Sequence, residues 1–334
     1  MRSPQPHFPL RKTPSGADSM RAVTPQSFAS RRVPQVLNLL RVLGLAALLN
    51  AGLVSAQEKV ARPGSKPALP AGVRALRDLA YVEGGHERNR LDLYLPEGSA
   101  RPLPVIVWVH GGGWIGGSKA GCPAIPFVTN GYAVVSINYR LSHHAIFPAQ
   151  IHDCKAAIRW LRAHAGKYGL DPDHIGVWGG SAGGQLVMLL GTTAGVKELE
   201  GQGGNAGQSS RVQAVVDWFG PSDFLTLGPK DTRTKLLGGD ALQNKPMAIK
   251  ASPMTYVSKD AAPFLIMHGD ADKTVALSQS ELFAQALKKE GVEVTLVILR
   301  GAGHSGPQFQ GLESMKQIGE FFARHLTQPK PAQP

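Results

Sequence analysis

Two stretches of the chain, Leu103–His110 (LPVIVWVH) and Tyr132–Tyr139 (YAVVSINY), are apolar almost without interruption. A strand with one wet face alternates apolar and polar residues, so an unbroken run belongs to a strand covered on both sides. Shorter runs of the same kind follow at Ile175–Trp178, Val212–Phe219, Pro263–His268 and Val292–Leu299. Segments with apolar residues at helical spacing lie among them: 148–168 (Ile151, Ala156, Ile158, Trp160, Leu161), Ala182–Leu190, Leu277–Lys289 and Leu312–Leu326. This alternation predicts an α/β fold: a mostly parallel central sheet of about eight strands, right-handed crossovers, and helices on both faces. Leu79–Val82 and Arg90–Leu95 predict a short antiparallel pair ahead of it. The polar, glycine-rich stretch 196–210 predicts a surface loop. Residues 224–252 have no clean period and are expected to form part of a lid or pocket wall.

The formal net charge of +12 raises the question of nucleic acid, and its distribution answers it. Seven of the 36 Lys/Arg and one of the 24 acids fall in residues 1–56, leaving 29 against 23 in the rest. No basic run interleaved with aromatics remains, so no nucleic-acid footprint is expected. In the N-terminal segment a basic stretch ends at Arg41, an apolar run spans Val42–Val54, and Val54-Ser55-Ala56 resembles a cleavage site. Thirteen residues rise only about 20 Å as a helix, too short for a stable membrane anchor. The expectation is therefore a targeting segment over 1–56, cut after Ala56, and a secreted or periplasmic protein. Residues 57–78 are expected to be a lead-in linker, 79–328 one folded domain and 329–334 a tail. Cys122 and Cys154 fit no metal-ligand spacing, and their pairing is left open.

Three glycine-rich motifs carry the chemistry. Gly179-Gly180-Ser181-Ala182-Gly183-Gly184 stands between a strand and a helix, where a strained turn projects a serine Oγ above the sheet edge. His110-Gly111-Gly112-Gly113-Trp114 ends the strand 103–110. Consecutive glycines cost backbone entropy and make sense where bare N–H groups must approach a ligand oxygen. Gly112 and Gly113, with Ala182, are the expected oxyanion-hole donors, and His110 is expected to order the loop. The third motif is a pair, His268-Gly269-Asp270-Ala271-Asp272 and Gly301-Ala302-Gly303-His304-Ser305, each following an apolar strand. A serine nucleophile requires a neutral histidine to take its proton and a carboxylate to orient that histidine. Ser181, Asp272 and His304 fill those roles in the expected chain order. Asp270 and Asp223 are the rival acids; His143, His144 and His268 are the rival histidines. Trp114, with His143, His144 and Phe147, is expected to form an aromatic rim around the substrate.

With these residues assembled, the chain resembles the esterase/lipase branch of the α/β-hydrolases that carries an HGGGW oxyanion motif. Within that branch it is similar to bacterial acetylxylan/feruloyl-esterase-like (BD-FAE-like) carboxylesterases. The likeness covers about residues 79 to 326 and is carried by Ser136–Ser142 (SINYRLS), Ala156–Leu161 (AAIRWL) and Gly179–Gly184. The aspartate four residues after His268 matches the family's catalytic acid, which favours Asp272 over Asp270. Gly180 departs from hormone-sensitive-lipase-like members, which usually have Asp there. The resemblance implies an α/β-hydrolase fold and a serine carboxylesterase without metal or organic cofactor. Its substrates would be short-chain or aromatic acyl esters, small or linked to plant polysaccharide. The alternative it leaves is an amide hydrolase, such as an arylformamidase or a serine peptidase related to the prolyl oligopeptidases.

Overall fold

The computed structural model describes residues 69–99 and 101–327. The targeting segment and the C-terminal tail expected from sequence lie outside the described residues. The elements in chain order are β1 (Val73–Ala80), β2 (Arg90–Pro96), β3 (Leu103–Val109), β4 (Ala133–Ile137), α1 (Ala149–Ala163), α2 (Ala165–Tyr168) and β5 (Leu170–Gly180). They continue with α3 (Ala182–Thr192), α4 (Lys197–Glu200), β6 (Ala214–Trp218), α5 (Asp231–Leu237) and α6 (Lys245–Ala251). The last four are β7 (Phe264–Gly269), α7 (Ser278–Lys289), β8 (Val294–Leu299) and α8 (Leu312–Leu326). The eight strands form one sheet in the order β1-β2-β4-β3-β5-β6-β7-β8, parallel from β4 to β8 and antiparallel at β1 and β2. This is the α/β-hydrolase fold.

The apolar runs become its centre. Val105, Val107 and Val109 of β3 face one core with Ile151 of α1, Leu186 of α3 and Phe283 and Leu287 of α7. Ile106 and Trp108 face the other, with Ile318, Phe321 and Phe322 of α8. Burial on both faces is what removed the polar alternation from these strands. Because β3 to β8 run parallel, their carboxyl ends share one edge, and the three glycine motifs all emerge there.

Two boundaries differ from the sequence expectation. The first strand begins at Val73, inside the segment expected to be linker, and runs to Ala80. It is an edge strand, its alternation is broken by Arg74, Arg77 and Asp78, and its register slips between Leu76 and Leu79. Asp78 sits at φ 58 at that slip, so no period of two survives in the sequence. The stretch 196–210 is not simply a surface loop either. It opens with α4, whose Leu199 is fully buried, and Glu200 receives Lys155 Nζ at 2.7 Å and Arg159 Nη1 at 3.2 Å. Lys155 and Arg159 come from the buried side of α1, so the anchor lies some 45 residues away in sequence. The expected wall segment 224–252 holds α5 and α6; Leu236, Leu237 and Ala248 join the core.

Candidate active site

Ser181 occupies the turn between β5 and α3 at φ 56, ψ −118, a conformation L-residues rarely adopt. Neighbouring structure holds it there. The Ser181 amide donates to Trp218 O of β6 at 2.8 Å. A Cβ at Gly183 would lie 2.0 Å from Val109 O, so only glycine lets α3 start this close to β3. The turn therefore lifts Oγ off the sheet edge at the amino end of α3, where the helix dipole favours developing negative charge.

Oγ of Ser181 lies 2.8 Å from His304 Nε2, and His304 Nδ1 lies 2.7 Å from Asp272 Oδ2. With a carboxylate at Nδ1, the ring proton resides there and Nε2 is the free acceptor for the serine proton. The Asp272 side chain has no exposure, whereas His304 is 25 % exposed. Burial opposes ionisation of Asp272. Four donors outweigh it: the His268 and His304 rings and the backbone N–H groups of Val275 and Thr274 hold the carboxyl well below the usual carboxylate range. Asp272 is thus a permanent anion at neutral pH. Asp270 is used differently: its Oδ1 accepts from Gly301 N at 2.7 Å, tying the turn after β7 to the turn after β8. Asp223 caps its own turn by accepting from Leu225 N.

The glycine loop after β3 faces Ser181. Gly112 adopts φ 108, and a Cβ there would meet Gly116 O at 2.5 Å, so the tight coil of 112–116 requires glycine. The amides of Gly112, Gly113 and Ala182 make no hydrogen bond to protein among the described residues. His110 orders this loop, as the sequence suggested. Its Nδ1 lies 2.7 Å from Gly111 O, its ring stacks on Tyr139 at 4.4 Å, and Arg88 Nη2 lies 3.2 Å from Nε2. Burial, with the neighbouring Arg88 cation, lowers His110 to about 4, so the imidazole is neutral. Arg88 also donates to Tyr139 O and Gly117 O, gathering both ends of the loop. Sequence reasoning missed Arg88, which stands outside every motif.

A cavity of about 760 Å³ opens onto Ser181 and His304. Trp108, Trp218 and Phe219 form its apolar wall, and Ile115, Lys230, Thr232, Thr274 and Gln310 lie around them. The aromatic wall expected from sequence is not this one. Trp114 is 4 % exposed and at φ 59 turns into the core, where its indole N–H donates to Gln185 Oε1 at 3.1 Å and its ring packs on Phe224. Phe147 is fully buried, and His143 and His144 cluster with His86; none of the four lines the cavity. The wall comes instead from β3 and the end of β6, which pack beside β5 rather than near the motif in sequence. Phe219, at φ 45, brings its ring to 4.7 Å from that of His304. Both cysteines are free; Cys122 lies at the cavity and Cys154 is buried in α1. Burial pushes the Cys122 thiol up to about 12, so it offers no rival nucleophile.

A serine turn, a glycine loop and a histidine–carboxylate pair thus stand together at one sheet edge. The sequence profile of the BD-FAE family matches residues 91–287. The chain belongs to the BD-FAE family. That match begins in β2 and ends in α7. Against a probable carboxylic ester hydrolase, LipM of Mycobacterium tuberculosis, this BD-FAE chain is 33 % identical over 68 % of its own length and 57 % of the relative's. The chain therefore spans little more than half of that curated relative. A truncated carbohydrate esterase from gut microbiota superposes with a TM-score of 0.75 at 35 % identity, covering 79 % of this chain and all of that one. An acetyl ester-xyloside bifunctional hydrolase from Caldicellulosiruptor lactoaceticus gives a TM-score of 0.62 at 28 % identity, covering 70 % of this chain and 87 % of the other.

Proposed function

We propose that the protein is a serine carboxylesterase that cleaves short-chain or aromatic acyl esters through an acyl-enzyme on Ser181. The single observation that carries this is the continuous chain Ser181 Oγ–His304 Nε2, His304 Nδ1–Asp272 Oδ2, opening into an aromatic-walled cavity. The similarity to a probable carboxylic ester hydrolase and to a carbohydrate esterase supports the reaction class.

Ser181 Oγ attacks the ester carbonyl while His304 Nε2 takes its proton, and the anion of Asp272 stabilises the imidazolium. The carbonyl oxygen becomes an oxyanion, met by the amides of Gly112, Gly113 and Ala182, each worth about 3 kcal/mol to the transition state. His304 returns the proton to the leaving alkoxide, and the alcohol departs. Water, deprotonated by the same nitrogen, then hydrolyses the acyl-serine.

Trp108, Trp218 and Phe219 suit a flat or small acyl group, since offset ring contacts add about 1 kcal/mol beyond area burial. Ester decorations of polysaccharide fit this reading, and so does export with cleavage after Ala56. Intact-mass measurement of the protein released by a bacterial host checks that cleavage. Initial rates on p-nitrophenyl esters from acetate to palmitate, methyl ferulate and N-formylkynurenine test the reaction. The expected profile peaks at acetate to butyrate or at the ferulate. Rates that peaked at twelve or more carbons, or on the formamide, would overturn the reading.

A further inference from the structure

His268, at the end of β7, is fully buried, and its Nε2 lies 2.9 Å from Val275 O and 3.2 Å from Asp272 Oδ2. Both neighbours are acceptors, so the ring proton resides on Nε2 and is shared between them. Nδ1 is then unprotonated and takes the hydroxyl of Ser280 of α7, at 2.7 Å. Oδ2 of Asp272 thus faces two imidazoles at once, His304 towards the cavity and His268 from within the core. The polar chain does not end at Asp272. It runs on through His268 to Ser280, an extension that the reaction steps above do not use.

The other ionisable neighbour is Asp217. It stands on the adjacent strand β6, on the same sheet face as Ile266 and His268, with no exposure. Its Oδ1 accepts from Gly220 N at 3.0 Å, and its Oδ2 has no hydrogen-bond partner among the described residues. The charged groups facing His268 are therefore Asp272 from the turn after β7 and Asp217 from β6. Ser280 from α7 and the Val275 carbonyl complete its shell, and His304 faces the far side of the shared carboxylate.

We propose that His268 is a positioning residue for the reaction: by sharing its Nε2–H with Asp272 Oδ2, it fixes the carboxylate and draws part of its charge away from His304. The inference rests on the reading of Ser181, His304 and Asp272 given above. A carboxylate in a dry site with one donor on Oδ2 would concentrate its charge on that donor and over-stabilise the His304 imidazolium. A second donor tempers this, leaving the imidazole able both to take and to return a proton. The Ser280 hydroxyl, donating to Nδ1, polarises the ring and strengthens its Nε2–H.

The test is the titration of His304, followed by NMR on ring-labelled protein, together with the acid limb of kcat/KM. His268→Leu removes the second donor, and His268→Gln restores an N–H of similar reach. Ser280→Ala takes away only the hydroxyl behind the ring. His268→Leu should move the His304 midpoint and the acid limb up by about one pH unit and lower kcat about tenfold with KM within about twofold. Glutamine should recover most of the shift, and Ser280→Ala should show a smaller shift of the same sign. A folded His268→Leu protein with an unmoved His304 midpoint would reduce His268 to a packing residue. If that variant does not fold, an unmoved midpoint in Ser280→Ala overturns the proposal equally. A midpoint that moves as expected in a protein that hydrolyses no ester would remove the proposed function and leave this inference standing.

Discussion

The Ser181–His304–Asp272 chain and the cavity wall meet at Ser181 but are built on opposite terms. From Ser181 through His304 to Asp272, each polar atom has a partner within 2.7 to 3.0 Å, and the residues that carry the chain each stand in a short motif at the sheet edge. The wall is assembled from Trp108 of β3 and from Trp218 and Phe219 at the end of β6. The Nε1 atoms of Trp108, Trp178 and Trp218 are buried with no hydrogen-bond partner among the described residues, while their rings pack edge-on at 4.7 to 5.9 Å. A polar constellation fails if one partner is lost, because a buried charge is left unpaired. An apolar wall fails gradually, by area and shape. Chemistry and selectivity in this molecule should therefore separate under mutation.

The largest effects belong to the reacting chain. Ser181→Ala and His304→Ala should each lower kcat by about three to five orders of magnitude with the fold intact; circular dichroism beside steady-state rates checks both halves of that statement. Next comes the pair of aspartates. Asp272→Asn should cost about 10²–10⁴ in kcat/KM by supplying the wrong partner to His304 Nδ1. Asp270→Asn loosens only the turn held through Gly301 and should stay within about tenfold. The reverse ranking would transfer the acid role to Asp270.

The wall should respond on a smaller scale and selectively. Trp218→Ala or Phe219→Ala should lower kcat/KM for an aromatic acyl ester about fivefold more than for acetate, the worth of one lost ring contact. Trp114→Ala offers the contrast. It empties a buried site and strands Gln185, so it should cost about 3–5 kcal/mol of stability while leaving the ratio of aromatic to acetyl rates unchanged. If Trp114 altered that ratio and Trp218 did not, the wall would have been placed on the wrong residues.

The smallest effect concerns Asp217, the buried carboxylate beside the chain. Burial raises it to about 7, against the pull of His268 and Gly220 N. An acid with a raised folded value binds more protons folded than unfolded, so it subtracts stability as pH rises from about 4 to about 7. Asp217→Asn should remove that slope, and its Tm should gain on the unmodified protein between pH 5 and 8. Parallel Tm curves across that range would mean that Asp217 is ionised throughout.

The same contrast explains what the sequence made legible. Ser181, His304 and Asp272 stand in short glycine motifs after apolar strands, and a local signal of that kind survives without any tertiary information. So do the core strands β3 and β4, whose burial on both faces is written as unbroken apolar runs. The wall is not written locally. Trp108 and Trp218 look like ordinary core residues within their strands, and only the pairing of Gly180 with Trp218 shows that one adjoins Ser181. Trp114 misled because a positive φ, invisible in the sequence, turns its side chain away from the loop it belongs to. Arg88 was equally hidden, since it acts across a distance set by the sheet rather than by spacing. The contact from His268 to Asp272 spans only four residues, and what hid it was the turn that folds the carboxylate back onto the buried ring. The first six residues of edge strand β1 escaped for the opposite reason: they are half exposed, and the slip at Asp78 erases the period that would have joined them to Leu79.

The proposed reaction passes through a covalent acyl intermediate on Ser181. The most direct test is intact-mass and peptide analysis of protein mixed with a slow aromatic ester, or with an organophosphonate that mimics the tetrahedral intermediate. One adduct per chain is expected, located on the peptide bearing Ser181 and absent from Ser181→Ala. Ester turnover that continued in Ser181→Ala, or an adduct carried by another residue, would contradict it.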